Sequence, residues 1–462
     1  VILNQTITKQ AFFTEMKSLF TLAWPLLIAQ VTQTLMGVSD TIMAGRYSYT
    51  DMAAVAIGFS VTMPVLMFIQ GVTLGLSPII SRLQGSNQTN KVANALHQCI
   101  WLSLMLSVLA LFFVFVVSPL LANIEMESDV RSITVDYIIY ILLAAPGFAL
   151  YQSLRNCCEG LSSTRPTMII MFAGLLVNIP ANYIFINGLF GLPQMGGAGC
   201  GIATLLVIYV MAFVTLLYMM MAKKLKKYAL FTQFHWPKLD LQLTQLKIGL
   251  PIAFTIVFEV SLFGIVALLL ARFGAEVVAS HQIALNFSAL MFMLPMSIGM
   301  ALAIRIGYTV GKEDALNAKI SVYCALVCAI IIALFTATMT VILGAKISAL
   351  YTENKDVILM ASSLLFFAAL FQFSDGIQVV SANALRGYKD TKAMLILSFV
   401  SYWLVGLPVG VVLGLTDWLF PAMAAKGFWI GFISGLSCAA VLMYWRVMVI
   451  QKRVASDVKA FA

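Results

Sequence analysis

Long apolar runs, nearly free of charge, limit what this chain can become. Twelve can be drawn, over residues 19–44, 52–80, 93–120, 132–154, 165–187, 197–221, 246–271, 277–304, 318–343, 358–383, 393–415 and 425–448. Each is near or above the roughly 20 residues that cross a bilayer core of about 30 Å. A water-soluble fold of 462 residues would need a polar surface. Only 10% of this chain is charged and 61% is hydrophobic, whereas soluble proteins carry about 25% and about 45–50%. The expected fold is an all-α integral membrane protein with 12 transmembrane helices.

The net charge of +9 does not imply nucleic-acid binding. The basic residues lie in short loops between apolar runs, where they set orientation rather than form a phosphate-binding stripe. Arg46, Arg131, Arg272, Lys346, Lys355 and Lys426 fall on one side of the twelve runs. Every other Lys and Arg falls on the opposite side, with both termini. The positive-inside rule puts that richer side in the cytoplasm. The expected location is a bacterial inner membrane, crossed many times, with both termini cytoplasmic. The chain begins at Val1, and its first apolar run is too long for a signal core, so it reads as an uncleaved anchor.

The chain repeats itself. At an offset of 226, Pro25 matches Pro251, Arg46 matches Arg272 and Gly85 matches Gly311; at 227, Asn156 matches Asn383 and Gly160 matches Gly387; at 228, Gly199 matches Gly427. Each repeat holds six runs, so both enter the membrane the same way up. The expectation is two pseudo-symmetric six-helix bundles around a central cavity, related by an axis along the membrane normal. The lobes are drawn at 1–221 and 246–462, joined by a basic linker over 222–245. That linker reads first as a solvated connection and second as a contact for lipid head groups.

Asp40, Glu259 and Asp375 fall inside apolar runs, and the remaining acids lie in loops or towards run ends. A carboxylate at mid-membrane costs about 2.5–3.5 kcal/mol on insertion scales and usually lines a polar pathway. No Lys or Arg stands at the middle of any run to neutralise them. Glu259, near mid-membrane, must be protonated, hold a cation or face water. With nearby oxygens, Glu259 and Asp375 could hold Na⁺. Gln378 shares a helical face with Asp375, and Gln33 lies two turns before Asp40 on a common face. Asn178 and Asn182 are four apart on one face, flanking Pro180, and either glue helices or line a pocket. Pro25 and Pro251 precede Asp40 and Glu259 and invite bends. Phe292, Phe371 and the 25 methionines supply adaptable apolar surface. The glycines at 406, 410, 414 and at 427, 431, 435 read as close helix packing. The seven cysteines show no metal or disulfide pattern.

Three segments resemble the multidrug and toxic compound extrusion (MATE) family, its NorM branch in particular. They are Gly37-Val38-Ser39-Asp40-Thr41-Ile42-Met43-Ala44-Gly45, the run from Ala279 through Gln282 to Asn286, and Leu385-Arg386-Gly387-Tyr388-Lys389-Asp390-Thr391. The resemblance covers nearly the whole chain. It implies export of bulky, often cationic and aromatic drugs and dyes in exchange for Na⁺ or H⁺, by two six-helix lobes around a cavity open alternately to each side. It assigns ion coupling to Asp40, Glu259 and Asp375, and places the family's Asn pair on Asn178 and Asn182. Gln33, Gln282 and Gln378 are expected to line the same kind of polar cavity. It also implies an aromatic contact near the cation at Phe292. Phe371 stands where the branch is expected to have a tyrosine, one hydroxyl fewer for an oxygen-ligand site.

The expected partners are small molecules, a monovalent cation and the lipid bilayer. No cofactor, nucleic acid or second subunit is expected. A lipid-precursor flippase would favour a cationic cavity, which the absence of mid-run Lys and Arg argues against. An intramembrane enzyme would need a nucleophile or metal constellation. His97, His235 and His281 are scattered, and no HExxH or GxSxG motif occurs. Gly307 to Glu313 is only a near miss for a P-loop.

Overall fold

The computed structural model describes residues 9–122, 127–418 and 421–460. Among these residues there is no strand. The helices are α1 (Lys9–Tyr47), α2 (Tyr49–Leu74), α3 (Leu76–Gly85), α4 (Val92–Ala122), α5 (Ser128–Leu143), α6 (Ala145–Gly160), α7 (Thr164–Asn187), α8 (Gly197–Met221), α9 (Leu239–Leu270), α10 (Ala275–Gly311), α11 (Ala315–Ala349), α12 (Lys355–Gly387), α13 (Thr391–Phe399), α14 (Leu407–Leu415) and α15 (Ala425–Ala460). A backbone inside a bilayer must satisfy its own hydrogen bonds, and the helix does so within one segment.

Among the described residues, eleven spans are long and apolar enough to cross a membrane, and a bent pair taken as one span makes twelve. That pair is α5 and α6, which meet at 41°. Pro146, in the first turn of α6, has no N–H for the turn before it, so the helix breaks there. The apolar pattern also understates helix length. α10 runs on to Gly311 and α12 to Gly387, so Arg305 and Arg386 are helical rather than in loops. Apolarity marks only the part of a helix inside hydrocarbon; backbone hydrogen bonding carries on past it.

One span is not regular. Between α13 and α14, Val400–Gly406 forms a π-helix. Pro408 in the first turn of α14 cannot donate to the carbonyl of Leu404, and the helix widens just before it.

The packing forms two compact units. One is Ile28–Ala253; the other combines the described residues up to Leu27 with those of Phe254–Ala462. The lobes drawn at 1–221 and 246–462 therefore do not coincide with the packing units. α1 and α9 each contribute to both, and each changes over just after its internal proline, Pro25 or Pro251. Side chains explain the grouping. Glu15 receives Arg305 Nε at 2.8 Å, Arg305 Nη2 at 2.7 Å and Ser321 Oγ at 2.6 Å, which binds the start of α1 to α10 and α11. In the Ile28–Ala253 unit, Gly71 and Gly75 let the α2 and α9 backbones meet. A Cβ on Gly71 would sit 2.5 Å from Ala253 Cα, and one on Gly75 3.1 Å from Gly249 Cα.

In the other unit, α12 packs against α10, α11 and α15, and α14 lies along α15. The spaced glycines act there as expected. A Cβ on Gly431 would lie 2.6 Å from both Gly406 O and Gly410 Cα, and one on Gly427 2.5 Å from Gly414 N. All seven cysteines are free.

Candidate ion-coupling sites

Asp40 lies late in α1 and is 4% exposed. Asn182 Nδ2 donates to its Oδ1 at 2.6 Å, and Thr204 Oγ1 donates to its Oδ2 at 2.9 Å. Asn182 Nδ2 also reaches Asn178 Oδ1 at 3.1 Å. Three helices, α1, α7 and α8, thus converge on one carboxyl group. The helical spacing of Asn178 and Asn182 puts both amides, each fully buried, on the face that meets α1. Tyr137, 1% exposed, lies with its hydroxyl within electrostatic range of the carboxyl. The Asn pair therefore joins α7 to α1 and at the same time stands beside the Asp40 carboxyl group.

Thr204 had no signal in the sequence. Membrane-helix threonines commonly return their hydroxyl to the preceding turn, as Thr62 does to Gly58 O and Thr215 to Met211 O. Thr204 spends its hydroxyl on Asp40 instead, and only the packing of α8 reveals it.

Glu259 and Asp375 lie on α9 and α12, in the other unit, within electrostatic range of each other. Asp375 is 4% exposed and Glu259 is partly exposed. Tyr402, on the π-helical segment, is buried and within range of both carboxyls. Its hydroxyl has no hydrogen-bond partner. Tyr402 had no signal in the sequence; the widened helix and the nearby carboxyl pair give it its place. No ion pair among the described residues involves Asp40, Glu259 or Asp375. No group of three or more His, Cys, Asp and Glu there could hold a metal ion.

The remaining residues are distributed as follows. Gln33 is partly buried, and its Oε1 accepts from Arg155 Nη1 at 3.4 Å, not from the Asp40 group. Arg155 is itself paired with Glu159 at 2.7 Å, both buried. Gln282 is exposed and bonds Asn286 at 3.1 Å. Gln378 is 3% exposed and its Oε1 has no partner. Phe292 is partly buried. Phe371 packs edge-on against Trp429 with centroids 5.7 Å apart. Trp429 and Phe432 in turn flank His281, fully buried with neither ring nitrogen hydrogen-bonded.

A family model described as MatE matches the chain twice, over residues 25–184 and 251–412. The two matches begin at Pro25 and Pro251, the same pair that opens the internal repeat. The probable multidrug resistance protein NorM of Idiomarina loihiensis is 47% identical over 95% of this chain and 95% of its own length. Its namesake in Shewanella oneidensis is 49% identical over 94% of this chain and 95% of its own. Among solved structures, a MATE crystal structure in the bent conformation superposes with a TM-score of 0.87 at 19% identity, covering 98% of this chain and 100% of that one. An outward-facing multidrug resistance MATE family transporter gives 0.86 at 19% identity, covering 97% and 99%. With its doubled family match and relatives that align along almost the full length, this multi-pass membrane chain belongs to the MatE family of transporters.

Proposed function

We propose that the chain exports organic compounds, often cationic and aromatic, in exchange for Na⁺ or H⁺ by alternating access. One observation carries the reading: three acids in membrane helices, Asp40, Glu259 and Asp375, have no Lys or Arg partner among the described ion pairs. An unpaired carboxylate in that setting is expensive unless it takes up a cation or a proton. The names of the relatives, which call them multidrug resistance proteins, support the substrate class.

The mechanism needs little more. A cation entering from outside occupies a carboxyl site and lowers affinity for a cationic compound, which leaves. The loaded protein turns inward, releases the cation and admits a new compound. Exchange requires only that cation and compound each favour a different state by a few kcal/mol. The protein works as a monomer in a bacterial inner membrane, with both termini cytoplasmic and no cofactor beyond the coupling cation.

Proteoliposomes with separately imposed Na⁺ and H⁺ gradients test this by dye movement. Glu259→Gln and Asp375→Asn should stop gradient-driven transport while folded protein stays in the membrane. Normal pumping by both variants would refute the mechanism.

A further inference from the structure

The stretch between α8 and α9 is not a loose connection. Leu225, Tyr228 and Leu230 are buried in a core cluster with Leu96 of α4 and Met219 of α8. The backbone that follows is pinned to α4 residue by residue. Trp101 Nε1 donates to His235 O at 3.2 Å, Gln98 Nε2 donates to Trp236 O at 2.9 Å, and Lys238 N donates to Gln98 Oε1 at 2.8 Å. His97 and His235 meet through their Nδ1 atoms at 3.1 Å.

This built segment turns large apolar side chains outward. Phe234 is 65% exposed and Trp236 is 70% exposed. They pack edge-on to each other at 5.2 Å, and Trp236 stacks parallel to Trp101 at 6.5 Å. The same segment carries exposed lysines at 223, 224, 226, 227 and 238. The turn Thr89–Lys91 packs against Lys226–Tyr228, which places exposed Lys91 beside that lysine-bearing turn. Asp240 is the one acid between 222 and 245.

The segment joins two membrane-spanning helices, so both its ends lie at the membrane surface. Aromatic rings held at that level sit in the interfacial layer, and clustered lysines beside a membrane helix attract anionic lipid. We propose that this docked linker is a binding site for the head groups of anionic phospholipids. Phe234 and Trp236 enter the interface while the lysines meet the phosphates. A solvated linker would need neither the backbone pins nor the exposed ring pair. The proposal stands independently of ion-coupled export.

The full chain in nanodiscs of phosphatidylcholine, with or without phosphatidylglycerol, provides the test. One lipid at a time carries bromine near its head group, and tryptophan quenching is read. Brominated phosphatidylglycerol should quench more strongly than brominated phosphatidylcholine at equal content, and Trp236→Phe should remove most of the difference. Replacing Lys223, Lys224, Lys226 and Lys227 with Gln should lower the preference for the anionic lipid by at least about tenfold; replacing them with Arg should keep it. Equal quenching by the two lipids overturns the proposal. So does a preference that survives the Gln replacements, or one abolished by soluble glycerol phosphate, which would point to a free-phosphate site.

Discussion

The amide of Asn182 donates to Asp40 at 2.6 Å across the interface of α7 and α1. This bond and that of Thr204 at 2.9 Å hold a buried carboxyl group in a fixed orientation. Asn182→Ala leaves that group short of a donor, which costs about 1–3 kcal/mol in stability. Dye efflux should fall by roughly tenfold or more, as when a residue orienting an ion ligand is lost. Thr204→Val should do the same more mildly. Thermal unfolding in detergent and efflux in liposomes read the two effects, and unchanged efflux in both variants would remove Asp40 from the coupling machinery.

Tyr402→Phe removes a single hydroxyl that has no hydrogen-bond partner. Losing an unsatisfied buried group should shift stability by no more than about 0.5 kcal/mol in either direction. The apparent affinity for the coupling cation should nevertheless weaken, because Glu259 and Asp375 lose a neighbouring oxygen. Transport rate against cation concentration tests this: the half-saturation point should rise while the melting temperature holds.

The described ion pairs should rank by burial. Arg155 and Glu159 are 3% and 2% exposed in their side chains, Arg305 and Glu15 21% and 6%, Arg446 and Asp390 27% and 22%. Glu159→Ala strands a buried guanidinium and should cost about 3–5 kcal/mol. Glu15→Ala should cost about 1–3 kcal/mol, and Asp390→Ala about 0–1 kcal/mol. Melting temperatures should fall in that order, and the reverse order would contradict the burial argument.

Two glycine substitutions should part company. Gly431→Ala drives a methyl to 2.6 Å from the backbone of Gly406 and Gly410, so α15 must move away; overpacking of this kind costs about 1–3 kcal/mol. Gly264→Ala meets nothing within 4 Å and should be neutral or stabilising by up to about 1 kcal/mol, from helix propensity. Comparing the two melting curves isolates helix contact from backbone preference.

The membrane class, the twelve spans, the doubling at an offset near 226 and the three unpaired acids were legible in the residues alone. Each depends on hydrophobicity, period or charge, which are properties of short stretches. The spaced glycines were legible too, because small residues at every fourth position mark a face that another helix touches. Other features were set by contacts between residues far apart in the chain. Tertiary structure sent Gln33 to Arg155 and left Gln282 exposed. It gave Thr204 to Asp40 and Tyr402 to the pair Glu259 and Asp375, and it assigned the start of α1 to the opposite unit through Glu15 and Arg305. A side chain's partner depends on which helices pack together and how each is turned, and no local pattern carries that information.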